Sequence, residues 1–537
     1  MNVLEYLRNN NISIDCPCGG NGTCKKCLVI IDKQPPVLAC RTEYKTGCHI
    51  EVVNQSKQMR ILDVDETISG DTIDSDSGRF GVAIDIGTTT IAGVIVEISK
   101  CRIFGAKSLE NSNKKYGADV ISRINSGRYK EMQFGMQTDI KNVIYSLLGK
   151  HNVKKLDVIA LAGNTTMINT LMGCDLLPLG RYPYEPEQIK TVDTSAKEAL
   201  GLNEEFIKDT RAVIFPGTSA FIGGDIVSGL YFLMNKTHDI ISRDMENGKN
   251  SISKDIITGD FISADMKFGK NTISNDIKCH NGTISNDIDT HKMKAGGFIA
   301  VMDLGTNGEM GLYNDNTVLT CSASAGPVFE GGNITCGIAS VPGAIDHMKI
   351  EEDGKCSYST IENDDRVMGL CGSGVIDCAA ELIKHGFCDV HGTFISGECY
   401  RITKRPDRSD IVFTQEDMRQ VQLAKAAIIS GLWTLCVKAG ITYADIDKLY
   451  LAGGMGYAID IDSAVRVGLI PKELEGSTVA VGNTSLKGCT ELICGDVDLG
   501  IKKAREISNR IKVVDLASDP GFERLYLDNI DFDPSFF

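Results

Sequence analysis

The chain has 537 residues, 42% hydrophobic and 24% charged, which is enough apolar material for several buried cores in an ordinary globular protein. Its formal net charge of −15 repels a polyphosphate backbone on average, which argues against nucleic acid as a partner. No apolar run reaches the ~18 residues of a membrane helix, and the first residues lack a basic stretch followed by a long apolar one; a cytoplasmic protein is expected.

Residues 3–9 have apolar positions at 3, 4 and 7, predicting a short helix. A turn-rich loop, CPCGGNGTCKKC, follows, then a strand at 28–32, a further cysteine in QPPVLACRTEY and a closing strand at 49–53. Together they make a small α+β module over 1–53. Nineteen cysteines, an odd number, read as thiols or metal ligands rather than as a disulfide framework. Scattered ones such as Cys174, Cys336 and Cys436 read as small buried hydrophobes. Cys18, Cys24, Cys27 and Cys40 are spaced C-x5-C-x2-C-x12-C. Four thiolates satisfy two irons bridged by two sulfides, and Gly19, Gly20 and Gly22 let the backbone turn tightly and aim amides at the sulfurs. A 2Fe–2S cluster on these four cysteines is the expectation. Structural zinc is the alternative, although it usually brings two C-x2-C pairs and here there is one. Reactive thiols are a third reading. Cys16 and Cys48 stand close enough in sequence to replace the first or the fourth ligand.

Residues 54–78 have a polar, acidic linker composition. From 79 to 235 strands alternate with helices, and the pattern resumes over 296–515 before a tail at 516–537; this is an α/β signature. Between the halves, 236–295, the tetrapeptide Ile-Ser-x-Asp recurs at 241–244, 252–255, 262–265, 273–276 and 284–287. This period fits a polar insertion in a surface loop with short strands, the alternative being a small β-solenoid.

Each half opens on a similar strand–turn–strand, VAIDIGTTT at 82–90 and IAVMDLGTNGE at 299–309. In the first, Asp85 ends a strand, and Thr88, Thr89 and Thr90 offer amides and hydroxyls to phosphate oxygens, while Asp85 suits Mg²⁺ held through water. Asp303, Gly305, Thr306 and Asn307 repeat the design. Two such loops suggest a nucleotide clamped between related lobes. Glycine-rich strand-to-helix turns support this: LAGGMG (451–456) with Gly453 and Gly454, LCGSG (370–374) with Gly372, GNTTM (163–167) and GNTSLKG (482–488). Taken singly, each is equally a turn needed for packing. Glu309 and Glu330 are candidate general bases.

These residues together resemble the superfamily of sugar kinases, actin and chaperone ATPases, whose members have two duplicated lobes, each with a five-stranded sheet, and ATP in the cleft. A C-x5-C-x2-C module joined to such an ATPase looks like the reductive activators of corrinoid proteins. KYGADVISRI (115–124), AGNTTM (162–167), DLGTNGE (303–309), SASAGPVFEGGNITCGIASVPGAID (322–346), GLCGSGVID (369–377) and LAGGMG are similar to that family. The resemblance implies an α/β, two-lobed duplicated actin-like ATPase with a small N-terminal α+β ferredoxin-like 2Fe–2S domain. It further implies ATP, Mg²⁺ and the cluster as cofactors, and one-electron reduction of an inactive cobalt(II) corrinoid to cobalt(I). The implied partners are a corrinoid protein or corrinoid-dependent methyltransferase and a low-potential electron donor. The other readings are an activator of a different low-potential metalloenzyme, or a metabolite kinase with an appended redox-sensing ferredoxin module. The chain departs from the family in three places. The module starts at its first helix, the linker leaves no room for a separate middle domain, and the repeat insertion is unusual.

Overall fold

A computed structural model describes residues 1–10, 12, 14, 27–32, 37–52, 78–246 and 297–536, apart from residues 118, 306, 353, 365, 407 and 457. Cys16, Cys18, Cys24, Thr306, the linker over 54–77 and the tetrapeptides beyond residue 246 lie outside the described residues.

The N-terminal module forms as its pattern predicts. The helix Val3–Asn9 packs Val3, Leu4 and Leu7 onto a three-stranded antiparallel sheet, with Leu28–Ile31 between Val37–Leu38 and Ile50–Val52. Cys27 and Cys40 belong to this small core.

Two larger sheets follow, one per lobe. In lobe I, Phe80–Ile86, Thr90–Glu97 and Arg102–Glu110 form an antiparallel meander, and Val158–Gly163 then Arg211–Ile214 add in parallel on the other side of Phe80–Ile86. Lobe II repeats this with the meander Phe298–Leu304, Gly308–Tyr313 and Val318–Ala323, and the parallel strands Ile446–Ala452 and Thr478–Gly482. Val82, Ala83, Ile84 and Ile86 are all buried, as a strand covered on both faces must be. Each sheet exceeds the expected five strands by one edge strand. Val192–Ser195 runs antiparallel to Arg211–Ile214, and Lys512–Val513 runs parallel to Val318–Ala323.

The duplication extends to register. Asp85 lies opposite Ala162 on its parallel neighbour, and Asp303 lies opposite Ala452 on its own. Both aspartates are the last but one residue of the first strand in their sheet.

Two helices lie between the sheets and pack on one another: Gly224–Glu246, which leaves lobe I, and Thr484–Cys494, which comes near the end of lobe II. Their approach is close because glycines face it. A Cβ on Gly488 would stand 2.1 Å from the Ser228 carbonyl oxygen, and one on Gly229 would stand 2.7 Å from Thr484 Oγ1. Ser228 Oγ donates to the Ser485 carbonyl at 2.8 Å. The helix Thr484–Cys494 also packs on the sheet of lobe I, against the strands Phe80–Ile86, Thr90–Glu97 and Val158–Gly163.

Two expectations change. The helix from Gly224 runs to Glu246, so the first tetrapeptide, 241–244, is helical and not part of an insertion loop. Cys101 and Cys494 form a disulfide where only thiols or metal ligands were expected. The return of the helix Thr484–Cys494 to lobe I places its last residue beside the turn between two lobe I strands, a juxtaposition of residues 393 positions apart. The tail, described to residue 536, is anchored in the core of lobe II. Phe532 is buried, Lys425 Nζ donates to the Asp531 carbonyl at 2.6 Å, and burial pulls the Lys425 ammonium down to about 8.

Lys425 sits on Gln415–Ala439, which among the described residues is the helix long and apolar enough to cross a bilayer. Of its most apolar window 78% is buried in the protein, so it serves as the core helix of lobe II.

The Gly488 contact gives a direct test of the helix pair. Gly488→Val should lower unfolding free energy by about 1–3 kcal/mol, because the added atoms must push Ser228 and its helix away. Urea denaturation measures this; an unchanged midpoint would mean that the helices do not pack this closely.

Candidate functional site

The first hairpin tip, Gly87–Thr90, closes on a Gly87 N–H bond to the Thr90 carbonyl at 2.9 Å. A Cβ on Gly87 would come within 2.7 Å of that carbonyl oxygen, so the turn requires glycine. Asn111 Nδ2 donates to the Gly87 carbonyl at 2.9 Å, and its backbone N–H donates to the Thr89 carbonyl at 2.9 Å. Arg123, buried beneath, donates to the Thr88 carbonyl at 2.5 Å and to the Gly117 carbonyl at 2.9 Å. Burial lowers its guanidinium to about 10, an effect opposed by Asp119 and Glu330. The tip is thus fixed from below, which leaves the threonine hydroxyls on the cleft side as the adaptable groups.

The two Gly-Asn-Thr turns do the same work twice. Asn164 caps the helix Thr165–Met172 by accepting from Met167 N–H at 3.0 Å, while its Nδ2 donates to Thr88 Oγ1 at 3.0 Å. Asn483 caps Thr484–Cys494 by accepting from Leu486 N–H at 2.8 Å, while its Nδ2 donates to Asp85 Oδ2 at 2.7 Å. Ser485 Oγ donates to Asp85 Oδ1 at 2.7 Å. Both asparagines therefore join a helix N-terminus to the first hairpin.

The second hairpin mirrors the first. Gly305 N–H donates to the Asn307 carbonyl at 3.1 Å, and Asp303 faces Glu309 across the strand pair. Gly453, at φ +86°, packs directly on this loop, where a Cβ would stand 2.6 Å from Asp303 Oδ1. Gly454 is exposed next to it, with open space around its Cα. Gly372 is buried at the first turn of the helix Gly372–Lys384, a helix that packs beside the turn Pro327–Glu330, which carries Glu330, and beside the helix Ile461–Arg466.

Between the lobes stand four carboxylates: Asp85, Asp225, Asp303 and Glu309. Burial is the largest cause that raises each of them. For Asp85 the Asn483 and Ser485 bonds oppose it. Asp225 is pushed up to about 7, with Asp85 adding to burial. Asp303 also rises to about 7, with Asp225 and Asp85 adding. Glu309 rises well above the usual range, with Asp225 and Asp303 adding. Among the described residues no Lys, Arg or His forms an ion pair with any of the four. Among the described residues no group of three or more His, Cys, Asp or Glu is arranged to hold a metal ion. Glu309 lines a small cavity of about 10 Å³ with Leu230, Val301, Asp303, Gly311 and Thr484, room for at most one water. Asp225 escaped the sequence reading. Its only signal is the Gly223–Gly224 pair before it, which the close approach of this helix start to Asn164 and Phe215 requires.

Glu330 ends the 3₁₀ turn Pro327–Glu330 of lobe II and reaches lobe I, where Thr89 Oγ1 donates to its Oε2 at 3.4 Å. In the N-terminal module, Cys27 and Cys40 are buried with their sulfurs 3.3 Å apart. Cys48 is half-buried.

Comparison with known proteins places this geometry. A family model described as the C-terminal ASKHA domain of RACo matches residues 298–535, and one for the RACo middle region matches 80–239. The middle-region model thus falls on lobe I itself, so the short linker does not mean that the family's middle region is missing. The chain is 24% identical to the corrinoid activation enzyme RamQ of Eubacterium limosum, over 99% of this chain and 96% of RamQ. It is 29% identical to the [Co(II) methylated amine-specific corrinoid protein] reductase of Methanosarcina barkeri, over 42% of this chain and 44% of that protein. The solved structure of a reductive activator for corrinoid, iron-sulfur protein shares the fold, with a TM-score of 0.66 and 24% identity over 99% of this chain and 96% of that one.

The acid cluster predicts a pH signature. A carboxyl raised in the folded state stabilises the fold at low pH, and that stability is lost as pH climbs through the folded value. For Asp225 and Asp303 the window runs from 3.8 to about 7. Protein freed of divalent cations should therefore become less stable from pH 5 to pH 8. Asp303→Asn should flatten the decline and stabilise the protein at pH 8 by roughly 1–4 kcal/mol. Urea midpoints across this range measure it, and parallel curves for wild type and variant would reject the assignment.

Proposed function

The chain belongs to the RACo family, and from that premise we propose that it is an ATP-dependent reductive activator that returns the cobalt(II) of an inactive corrinoid protein to cobalt(I). The observation that carries the reading is the pair of Asp-bearing hairpins, Asp85 and Asp303 at one register in two sheets, facing a common cleft beside the Gly453 turn. The similarity to RamQ over nearly the whole of both chains, N-terminal module included, supports it.

ATP binds between the lobes. Thr88, Thr89 and Thr90 from one side, and Gly305, Thr306 and Asn307 from the other, present hydroxyls and amides to its phosphates, and the Gly453–Gly454 turn leaves a flat, side-chain-free surface for the nucleoside. Asp85 and Asp303 fit Mg²⁺, which keeps several waters and needs only one or two carboxylates besides the phosphates. A cleft with four carboxylates and no cationic partner among the described residues suits such an ion, which would supply charge neutralisation for the phosphates. Asn483 and Ser485 hold the Asp85 carboxylate in orientation, as second-layer donors do.

The N-terminal module fits a 2Fe–2S cluster on Cys18, Cys24, Cys27 and Cys40. Two of these thiols are buried side by side in its core, close to the ~3.8 Å that neighbouring sulfurs keep on one tetrahedral metal with 2.3 Å bonds. Bound there, the cluster supplies a one-electron store near about −400 mV. Every ~59 mV by which the cobalt couple lies lower costs about tenfold in the one-electron equilibrium, and the ATP-driven closure of the lobes offsets this through the docked partner. A low-potential donor refills the module. The cytoplasm is the compartment this reading assigns.

The test is anaerobic. Purified protein, a low-potential chemical reductant and a corrinoid protein should give cobalt(I) absorbance only when Mg-ATP is added. Asp303→Asn should slow this by roughly 10–100-fold. Cys27→Ser and Cys40→Ser should remove it together with the visible absorbance of the cluster. Reduction that ignores ATP with every corrinoid protein tried would sink the reading, and zinc in place of iron would remove its redox half.

A further inference from the structure

Two acidic residues of lobe II, Glu309 and Glu330, have the chemistry to position the water that attacks ATP, and the structure separates them. Glu309 lies opposite Asp303 on the neighbouring strand, and with Asp303 it lines a cavity of about 10 Å³ closed by Leu230, Val301, Gly311 and Thr484. A phosphate cannot enter that space. Glu330 Oε2 accepts from Thr89 Oγ1 at 3.4 Å, at the tip of the first hairpin, and its Oε1 is 3.8 Å from where a Cβ on Gly305 would lie, at the tip of the second. One carboxylate thus reaches both phosphate-binding tips.

Its placement is fixed by the turn that carries it. Gly331, at φ +73°, is packed so tightly that a Cβ would stand 2.1 Å from the Ile338 carbonyl oxygen. The Gly332 N–H donates to the Pro327 carbonyl at 2.7 Å, closing the turn on itself. Further along, Thr335 N–H donates to Asp417 Oδ1 at 2.6 Å, which ties the segment to the first turn of the core helix Gln415–Ala439. A carboxylate held this way is pre-positioned rather than swept in by a flexible loop.

We propose that Glu330, and not Glu309, is the catalytic residue that orients the water for attack on the γ-phosphate of ATP. This rests on the ATPase reading above. When ATP enters, its γ-phosphate takes over the Thr89 hydroxyl, and Glu330 is left facing a water on the far side of the phosphorus. The water oxygen bonds to phosphorus as the bond from phosphorus to the β–γ bridging oxygen breaks. ADP leaves with that oxygen and the electron pair. The water proton passes to the Glu330 carboxylate and from there to the phosphate product, so no further reactant is needed. Asp85 and Asp303 keep their separate task at the cation, and Glu309 supports Asp303 from the neighbouring strand.

The experiment compares Glu330→Gln and Glu309→Gln in the full-length, anaerobically purified protein, measuring Mg-ATP affinity by titration and hydrolysis by single turnover. Glu330→Gln should bind Mg-ATP within about threefold of wild type yet hydrolyse it about 10²–10⁴-fold more slowly. Glu309→Gln should keep the rate within about tenfold. Should Glu330→Gln fail to fold, Glu330→Asp takes its place, with the same retained affinity and a rate lowered by its shorter reach. A Glu330 variant that hydrolyses ATP at the wild-type rate, or loses rate only through affinity, overturns the assignment, as does a rate lost instead in Glu309→Gln. Wild-type protein that binds no Mg-ATP would overturn the ATPase reading itself, and this inference with it.

Discussion

Like-charge repulsion at the floor of the cleft governs much of this molecule. Folding brings Asp85, Asp225, Asp303 and Glu309 from four separate elements into one enclosed space; burial raises all four, and neighbouring carboxylates add to it for Asp225, Asp303 and Glu309. Such a cluster is tolerated in two ways. It can keep protons, or it can share a cation. Triphosphate alone would worsen the repulsion, whereas triphosphate with its metal relieves it. On the proposed reading the cleft therefore takes metal-bound nucleotide in preference to bare nucleotide. The donors Asn483 and Ser485 fit the same logic, because they satisfy the Asp85 oxygens without adding charge.

The symmetry of the two hairpins was readable in the sequence because each is local: an aspartate, a glycine and hydroxyl or amide residues within a few positions, repeated once. The strands and helices around them were equally readable, since fully buried strands show as continuous apolar runs. What supports the hairpins was not readable. Asn483 lies 398 positions from Asp85, and Glu330 lies 241 from Thr89, so no window of sequence contains both partners. Arg123 is likewise buried under the first hairpin, 35 positions from the Thr88 carbonyl it donates to. Asp225 was hidden in a glycine-led helix start that reads as a packing turn.

The chain's order along the sequence also hides which parts move together. Lobe II ends at 515 by sequence pattern, but the helix Thr484–Cys494 packs on the sheet of lobe I, donates from its N-terminal end to Asp85 and is bonded by Cys494 to Cys101. The next helix, Val497–Arg510, is fastened to lobe I as well, through Asp498 with Arg211 at 2.6 Å and Ser508 with the Gly217 carbonyl at 2.8 Å. Meanwhile Leu230, on the helix that leaves lobe I, lies against Gly311 of lobe II. Each half of the chain thus lends a helix to the other.

That exchange constrains how the cleft can close. The two helices meet at Gly488 with Ser228 and at Gly229 with Thr484, contacts too tight to admit a Cβ. Sliding one helix along the other would drive Ser228 or Thr484 off the glycine that accommodates it, at the overpacking cost that close-packed interiors impose. Rocking about the contact leaves both glycines in place. The Thr89–Glu330 contact joins the two lobes at the first hairpin tip, so such a rocking motion changes the spacing of the groups there. A ligand that bridges the tips then acts on both lobes. This is the property an ATP-driven activator needs if binding at the cleft is to be felt by a partner docked elsewhere.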